Sequence, residues 1–322
     1  MTRATIVPPS VLPRIVSTLQ GKLLGIVGFT MLGLWTALAR AGGANGVHDS
    51  AADTATLANV VVQATKLNKQ ALKHAVHEFA ASHERLNPRS AQISHWVIPI
   101  CPLTRGLDRR YDEYVNRRIL SIAHEVGAPS STAKSCKANV WILFTRDPQA
   151  QVNLFARKWP TMLGWVSGSL KRLATVRFPI QAWYVTGTAS PLGGIAGLDA
   201  ANGPSFIVNN EGFDGSRLRD VVSEIGFVLV VVNAEKVARY SLTTISDYVA
   251  MVVLTRTALN GCSVLPSIID LLSPDCGPRE RPILLTDADK AFLKAMYGTR
   301  FGVRVNVERG QINENFVRIL SR

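Results

Sequence analysis

The sequence predicts an α+β fold: a mixed or antiparallel sheet with helices packed on it and a mostly helical C-terminal half. Three observations predict this. Strand-like runs are interleaved with helix-period stripes up to about residue 208. From Arg217 onward the stripes read as nearly all helical. No internal repeat or regular strand–helix alternation runs through the 322 residues, which argues against a doubly wound sheet. Hydrophobic residues make up 47% and charged residues 18%, a balance that excludes a disordered chain.

Each element has its own signal. Val60–Val62 is a short β-prone run, and Asn68 is placed to cap a helix through about Ser82. Residues 86–92 break that helix, and 94–101 (SHWVIPIC) read as a strand. Asp108 is placed to cap a helix with a stripe of Tyr111, Val115, Ile119, Ile122 and Val126, spaced by four, four, three and four, with Gly127 as a stop. Ala138, Val140, Ile142 and Phe144 alternate as a strand does. Asp147-Pro148 opens a helix with proline in its first turn. Residues 171–178 and 180–187 read as strands parted by Pro179. Ser190–Pro204 is a Gly-rich loop, and Ser205–Val208 reads as a short strand.

In the C-terminal half, Val221, Ile225, Val228, Leu229 and Val232 make a helical stripe, though FVLVVV (227–232) could equally be a strand; length and the polar start favour a helix over 221–232. Thr243–Thr257 reads as a second apolar helix. Thr286 caps a third, with Asp287 and Asp289 at its start and Gly298 at its end. Phe301, Val303, Val305 and Val307 alternate as a strand, and Ile312, Phe316, Ile319 and Leu320 mark a short closing helix.

The N-terminus carries an address. Residues 1–22 hold Arg3, Arg14 and Lys22 and no acid, and Leu23–Ala39 is uncharged. Small residues follow at Ala37-Leu38-Ala39 and Ala39-Arg40-Ala41. This order reads as a secretory signal peptide over 1–41, cleaved between Ala39 and Gly42. The rival is an uncleaved anchor. Seventeen residues span about 25 Å as a helix, against a hydrocarbon core of about 30 Å. Either way residues 42–322 are exported: 42–92 as a flexible segment plus one helix, 93–322 as a single α+β domain.

Without residues 1–41 the chain keeps 32 basic residues against 23 acidic ones. The basic residues are spread along the chain and no aromatic-interleaved basic stripe is present, so nucleic acid is not the expected partner. An anionic envelope surface is. The four cysteines, Cys101, Cys136, Cys262 and Cys276, are even in number and lack zinc spacing. Disulfides are expected, and of three connectivities the pairs Cys101–Cys136 and Cys262–Cys276 each close a loop within one region.

Candidate chemistry is thin. All six histidines lie at or before residue 124, which removes H-E-x-x-H and a Ser-His-Asp triad from the C-terminal half. His74, His77 and Glu78 share one helix face, where a fourth ligand would complete a metal site and His95 or His124 are the outside donors. Ser131 and Lys134 match S-x-x-K without its companion motif. The glycines of the loop containing Gly187 and Gly203 fit no phosphate-binding motif. Glu224 and Asp247 on the expected apolar helices are the carboxylates an unrecognised enzyme would use, and one at work would show a raised pKa and face a cleft. No catalytic, cofactor-binding or metal residue is assigned.

Three stretches, Ile100–Leu107 (ICPLTRGL), Ile245–Leu254 (ISDYVAMVVL) and Leu285–Tyr297 (LTDADKAFLKAMY), resemble a group of uncharacterised secreted proteobacterial proteins. The likeness spans about 95–322. More distantly the last stretch is similar to exported zincin-like domains. That resemblance implies a helix at 221–232 where H-E-x-x-H belongs, with Glu224 kept and both histidine ligands missing, hence a metal-free relative. The expected function is non-enzymatic binding or scaffolding in the envelope, with an enzyme of unrecognised type, such as a degenerate zincin-like hydrolase relative, as the alternative.

Overall fold

The apolar run Phe227–Val232 lies at the centre of the sheet in the computed structural model of the chain. The structure describes residues 69–86, 93–131, 136–164, 170–189, 195–198, 222–278, 280–299, 303 and 305–322. The expectations for residues 1–68, Lys134, most of the Gly-rich loop and Ser205–Val208 lie outside these residues.

Among the described residues the chain forms α1 (Lys69–His83), β1 (Pro102–Arg105), α2 (Arg109–Glu125), β2 (Val140–Thr145) and α3 (Pro148–Lys158). A 3-10 turn (Pro160–Leu163), α4 (Leu170–Leu173), β3 (Ile180–Ala189), β4 (Ile195–Leu198) and β5 (Val222–Asn233) follow. The rest is helical: α5 (Ala234–Val237), α6 (Leu242–Leu254), a 3-10 turn (Ile268–Leu272), α7 (Asp287–Tyr297) and α8 (Val305–Leu320). The fold is α+β, with a mixed sheet ordered β1-β2-β5-β3-β4. β1, β2 and β5 run parallel, and β3 is antiparallel to β5 and β4.

Burial explains why 222–233 is a strand and not the expected helix. Val228 to Val232 are all at most 1% exposed, because β2 and β3 flank the strand and side chains cover both faces. A strand buried on both faces has no polar face to alternate with, so its sequence is a continuous apolar run, rich here in β-branched valine. The stripe that read as a helix period is part of that run. A zincin-like active-site helix therefore does not stand at 221–232.

The register slips by one residue beside Gly226. Val185 pairs with Phe227 but Thr186 pairs with Ile225, so Gly226 is the extra residue of a bulge. The bulge puts Ile225 on the same face as Val228 and Val230, inside the large core, and turns Glu224 to the opposite face.

α2 and α6 pack on the large-core face, and α3 with its following 3-10 turn packs on the other, where Trp141 meets Phe155 and Phe227 edge-on. α6 is almost wholly buried, as a helix apolar all round must be. Its start is capped by Ser241, whose hydroxyl accepts from the Thr244 N–H. The cap predicted at Thr286 forms as a reciprocal box with Asp289, and the helix expected from Asp147-Pro148 starts there with the Asp147 side chain as its cap. Asp108 stands at the N-cap of α2 without a side-chain cap bond, and Gly127 ends that helix at φ 79°.

Four further expectations are corrected. Residues 94–101 make only isolated bridges, at His95 and Ile100, and the strand starts at Pro102. Residues 171–178 hold the one-turn α4 and irregular chain, since Gln149 and Gln181 side chains take up the backbone groups a ladder would use. Of the alternation Phe301, Val303, Val305 and Val307, Phe301 lies outside the described residues, Val303 is in a bend, and Val305 and Val307 belong to α8, whose buried face is Glu308, Ile312 and Phe316 while Val307 is exposed. Tyr111 is 40% exposed, and Asp112 takes its place on the buried stripe of α2.

Candidate functional site

The predicted cysteine pairs form. Cys101 and Cys136 have Cα atoms 6.0 Å apart and Cys262 and Cys276 5.0 Å, both within disulfide range. These bonds fit an oxidising, exported compartment. Among the described residues no helix is long and apolar enough to cross a membrane.

Asp247 is fully buried in α6, and both its oxygens are engaged. Arg118 of α2 donates to them at 2.6 and 3.0 Å, and the Leu285 N–H donates to Oδ2 at 3.0 Å. The guanidinium fork matches a carboxylate, so this pair fastens α2, α6 and the approach to α7 together. Asp247 is a structural carboxylate.

Glu224 differs. It is 2% exposed, its Oε1 has no hydrogen-bond partner among the described residues, and burial pushes its carboxyl up to about 7. It sits across a parallel bridge from His95, whose burial pulls the ring down to about 3 against a weaker hydrogen bond to the Ile93 backbone. Burial is the largest cause of both shifts, and it favours the uncharged form of each group. Glu308, in the first turn of α8, is also buried and pushed up to about 7, and its carboxylate is hydrogen-bonded by the Ile93 backbone.

The third assembly joins distant segments. Ser267 donates to Asp289 Oδ1 at 2.6 Å, and the same hydroxyl lies 3.0 Å from His83 Nε2. His83 Nδ1 lies 2.8 Å from the Phe79 carbonyl, which needs the proton on Nδ1. Burial pushes the Asp289 carboxyl up and the His83 ring down. A histidine, serine and aspartate thus meet despite the sequence reading, because α1 carries His83 across to residues 184 positions later. The order is wrong for nucleophilic catalysis. In that arrangement imidazole stands between serine and carboxylate and takes the serine proton. Here the carboxylate holds the hydroxyl directly, the hydroxyl also accepts from the Ile269 N–H, and Ser267 and Asp289 have no exposure.

Beside it lies a cavity of about 10 Å³, bordered by His83, Glu84, Ser94, Thr255 and Phe292, room for about one water. His74 and His77 are exposed, and His74 faces Glu78 at 3.5 Å as an i,i+4 pair. The three do not close on one point. Among the described residues the one group with ligand atoms within 4.8 Å of one another is Cys262, Asp270 and Cys276. Its two sulfurs are joined to each other, and Asp270 accepts from the Ser263 and Ser267 N–H groups.

No family model matches this sequence, and neither the curated proteins nor the solved structures gave a match.

Proposed function

We propose that this chain is an exported envelope protein that binds or scaffolds and does not catalyse. The observation that carries it is the pair of disulfides in a chain whose N-terminus reads as an export signal. The fate of the chemically capable groups supports it. Asp247 is held in an ion pair, and the Ser267 hydroxyl is closed inside its own network. The resemblance read from the sequence to secreted proteobacterial proteins would place the chain in the same compartment.

The site of action is the periplasm or beyond, with residues 1–41 removed or, in the second form, Leu23–Ala39 kept as an inner-membrane anchor. Fractionation of the full chain with N-terminal sequencing and thiol titration tests this. The expected product is exported, begins between Arg40 and Gly42 and has no free thiol. A cytoplasmic product with four free thiols overturns it.

One observation favours a second reading, an enzyme of unrecognised type. Burial pushes the Glu224 carboxyl up, as expected of a general acid or base, although Glu224 borders neither the small cavity beside His83 nor the groove between α3 and α4.

A further inference from the structure

The basic excess of the chain is concentrated, although basic residues occur throughout it. Between Glu125 and Asp199 there are eight basic residues, and Asp147 is the sole acid. Asp147 is engaged at the start of α3, where its side chain accepts from the Ala150 N–H at 2.9 Å. Half of these cations, Arg157, Lys158, Lys171 and Arg172, lie at the end of α3 and in α4, and all four are exposed. Lys158 lies 6.0 Å from the ring of Trp159, a half-buried indole at the same edge.

α3 and α4 enclose a surface groove of about 420 Å³. Arg157 and Lys171 border it from opposite helices, Gln149 and Asn153 supply amides, and Leu170 and Ala174 supply apolar surface. Gln149 is fixed by bonds to Asn153, the Ala174 carbonyl and the Val176 N–H, so this side of the groove is rigid. Among the described residues neither Arg157 nor Lys171 has an acidic partner.

We infer that this groove takes the phosphate group of an anionic phospholipid headgroup. Two cations without an acidic partner among the described residues, with the Asn153 amide as a further donor, complement a phosphate, and the groove is of small-ligand size. The neighbouring Lys158, Arg172 and Trp159 complete the combination that favours a bilayer over a soluble anion. Clustered cations are drawn to anionic leaflets, and tryptophan settles at the headgroup level. The inference rests on the export reading only in needing a membrane surface within reach.

The test is flotation of the naturally processed chain with phosphatidylglycerol vesicles, against phosphatidylcholine vesicles as reference. Binding to the anionic vesicles alone is expected. Each cation near such a surface is worth about fivefold, so Arg157→Gln with Lys171→Gln should weaken binding about twenty-five-fold. Arg109→Gln with Arg117→Gln on α2 removes the same charge and should change binding less than about twofold. Equal losses in the two pairs, no loss in the first, or no binding by the wild-type chain overturns the inference. Calorimetric binding of free glycerol 1-phosphate that needs Arg157 and Lys171, without vesicle binding, reassigns the groove to a soluble phosphate and overturns the lipid source. An exported, disulfide-bonded chain that ignores vesicles rejects the groove and leaves the export reading standing.

Discussion

Glu224 and His95 face each other across a parallel bridge, and burial drives their pKa values apart, to about 7 and about 3. Each is held in its uncharged form by the same loss of water. The consequences for stability run in opposite directions with pH.

Between pH 4.5 and about 7 the folded state keeps a proton on Glu224 that the unfolded chain releases. Its contribution is complete below 4.5 and lost as pH rises through 7. His95 works in reverse: its contribution is complete above 6.5 and lost as pH falls toward 3. The variant Glu224→Gln should therefore gain on the wild type by about 2–3 kcal/mol between pH 5 and pH 8. Glu308 titrates alike in both proteins and drops out of the comparison. Urea midpoints of the two proteins at four pH values measure this. A stability difference that stays constant with pH would show that Glu224 titrates like an exposed glutamate.

Removing one member of the Arg118–Asp247 pair leaves a buried charge alone. Arg118→Met should cost about 3–5 kcal/mol, whereas Arg118→Met with Asp247→Leu should recover much of that. Equilibrium denaturation of the single and double variants decides it. A double variant as unstable as the single one would show that the bond from the Leu285 N–H, not the ion pair, carries the stabilisation.

Two glycines in left-handed backbone should respond differently to alanine. Gly106 has φ 109° and lies against the Phe144 carbonyl, where an added Cβ would collide. Gly127 has φ 79° with open space around it. Gly127→Ala should cost about 1 kcal/mol of backbone strain, and Gly106→Ala more than about 2 kcal/mol because β2 must shift as well. Thermal melts of the two variants rank them, and equal costs would mean the turn at Gly106 yields without disturbing β2.

The disulfides close loops with sequence separations of 35 and 14 residues. Replacing either pair with serine should lower stability by roughly 3–4 kcal/mol, slightly more for Cys101–Cys136. Non-reducing peptide mapping with denaturation of the two double variants checks both pairing and magnitude. Crossed pairs in the map would contradict the structure.

Local signals in the sequence determined a good part of this molecule. The α2 stripe, the helix start at Asp147-Pro148, the cap at Thr286, the stop at Gly127 and the cysteine pairing were legible because each depends on residues close in the chain. The identity of 222–233 was not legible. An apolar run suits a buried helix or a buried strand equally, and pairing with β2 and β3, more than 30 residues away, decided it. The same holds for the polar assemblies. Nothing near His83 announces Ser267 or Asp289, and nothing in Ser223-Glu224-Ile225 announces the slip at Gly226 that turns the carboxylate away from the large core. Burial and register are properties of the packed sheet, so the protonation of Glu224 and His95 was decided only in the tertiary structure.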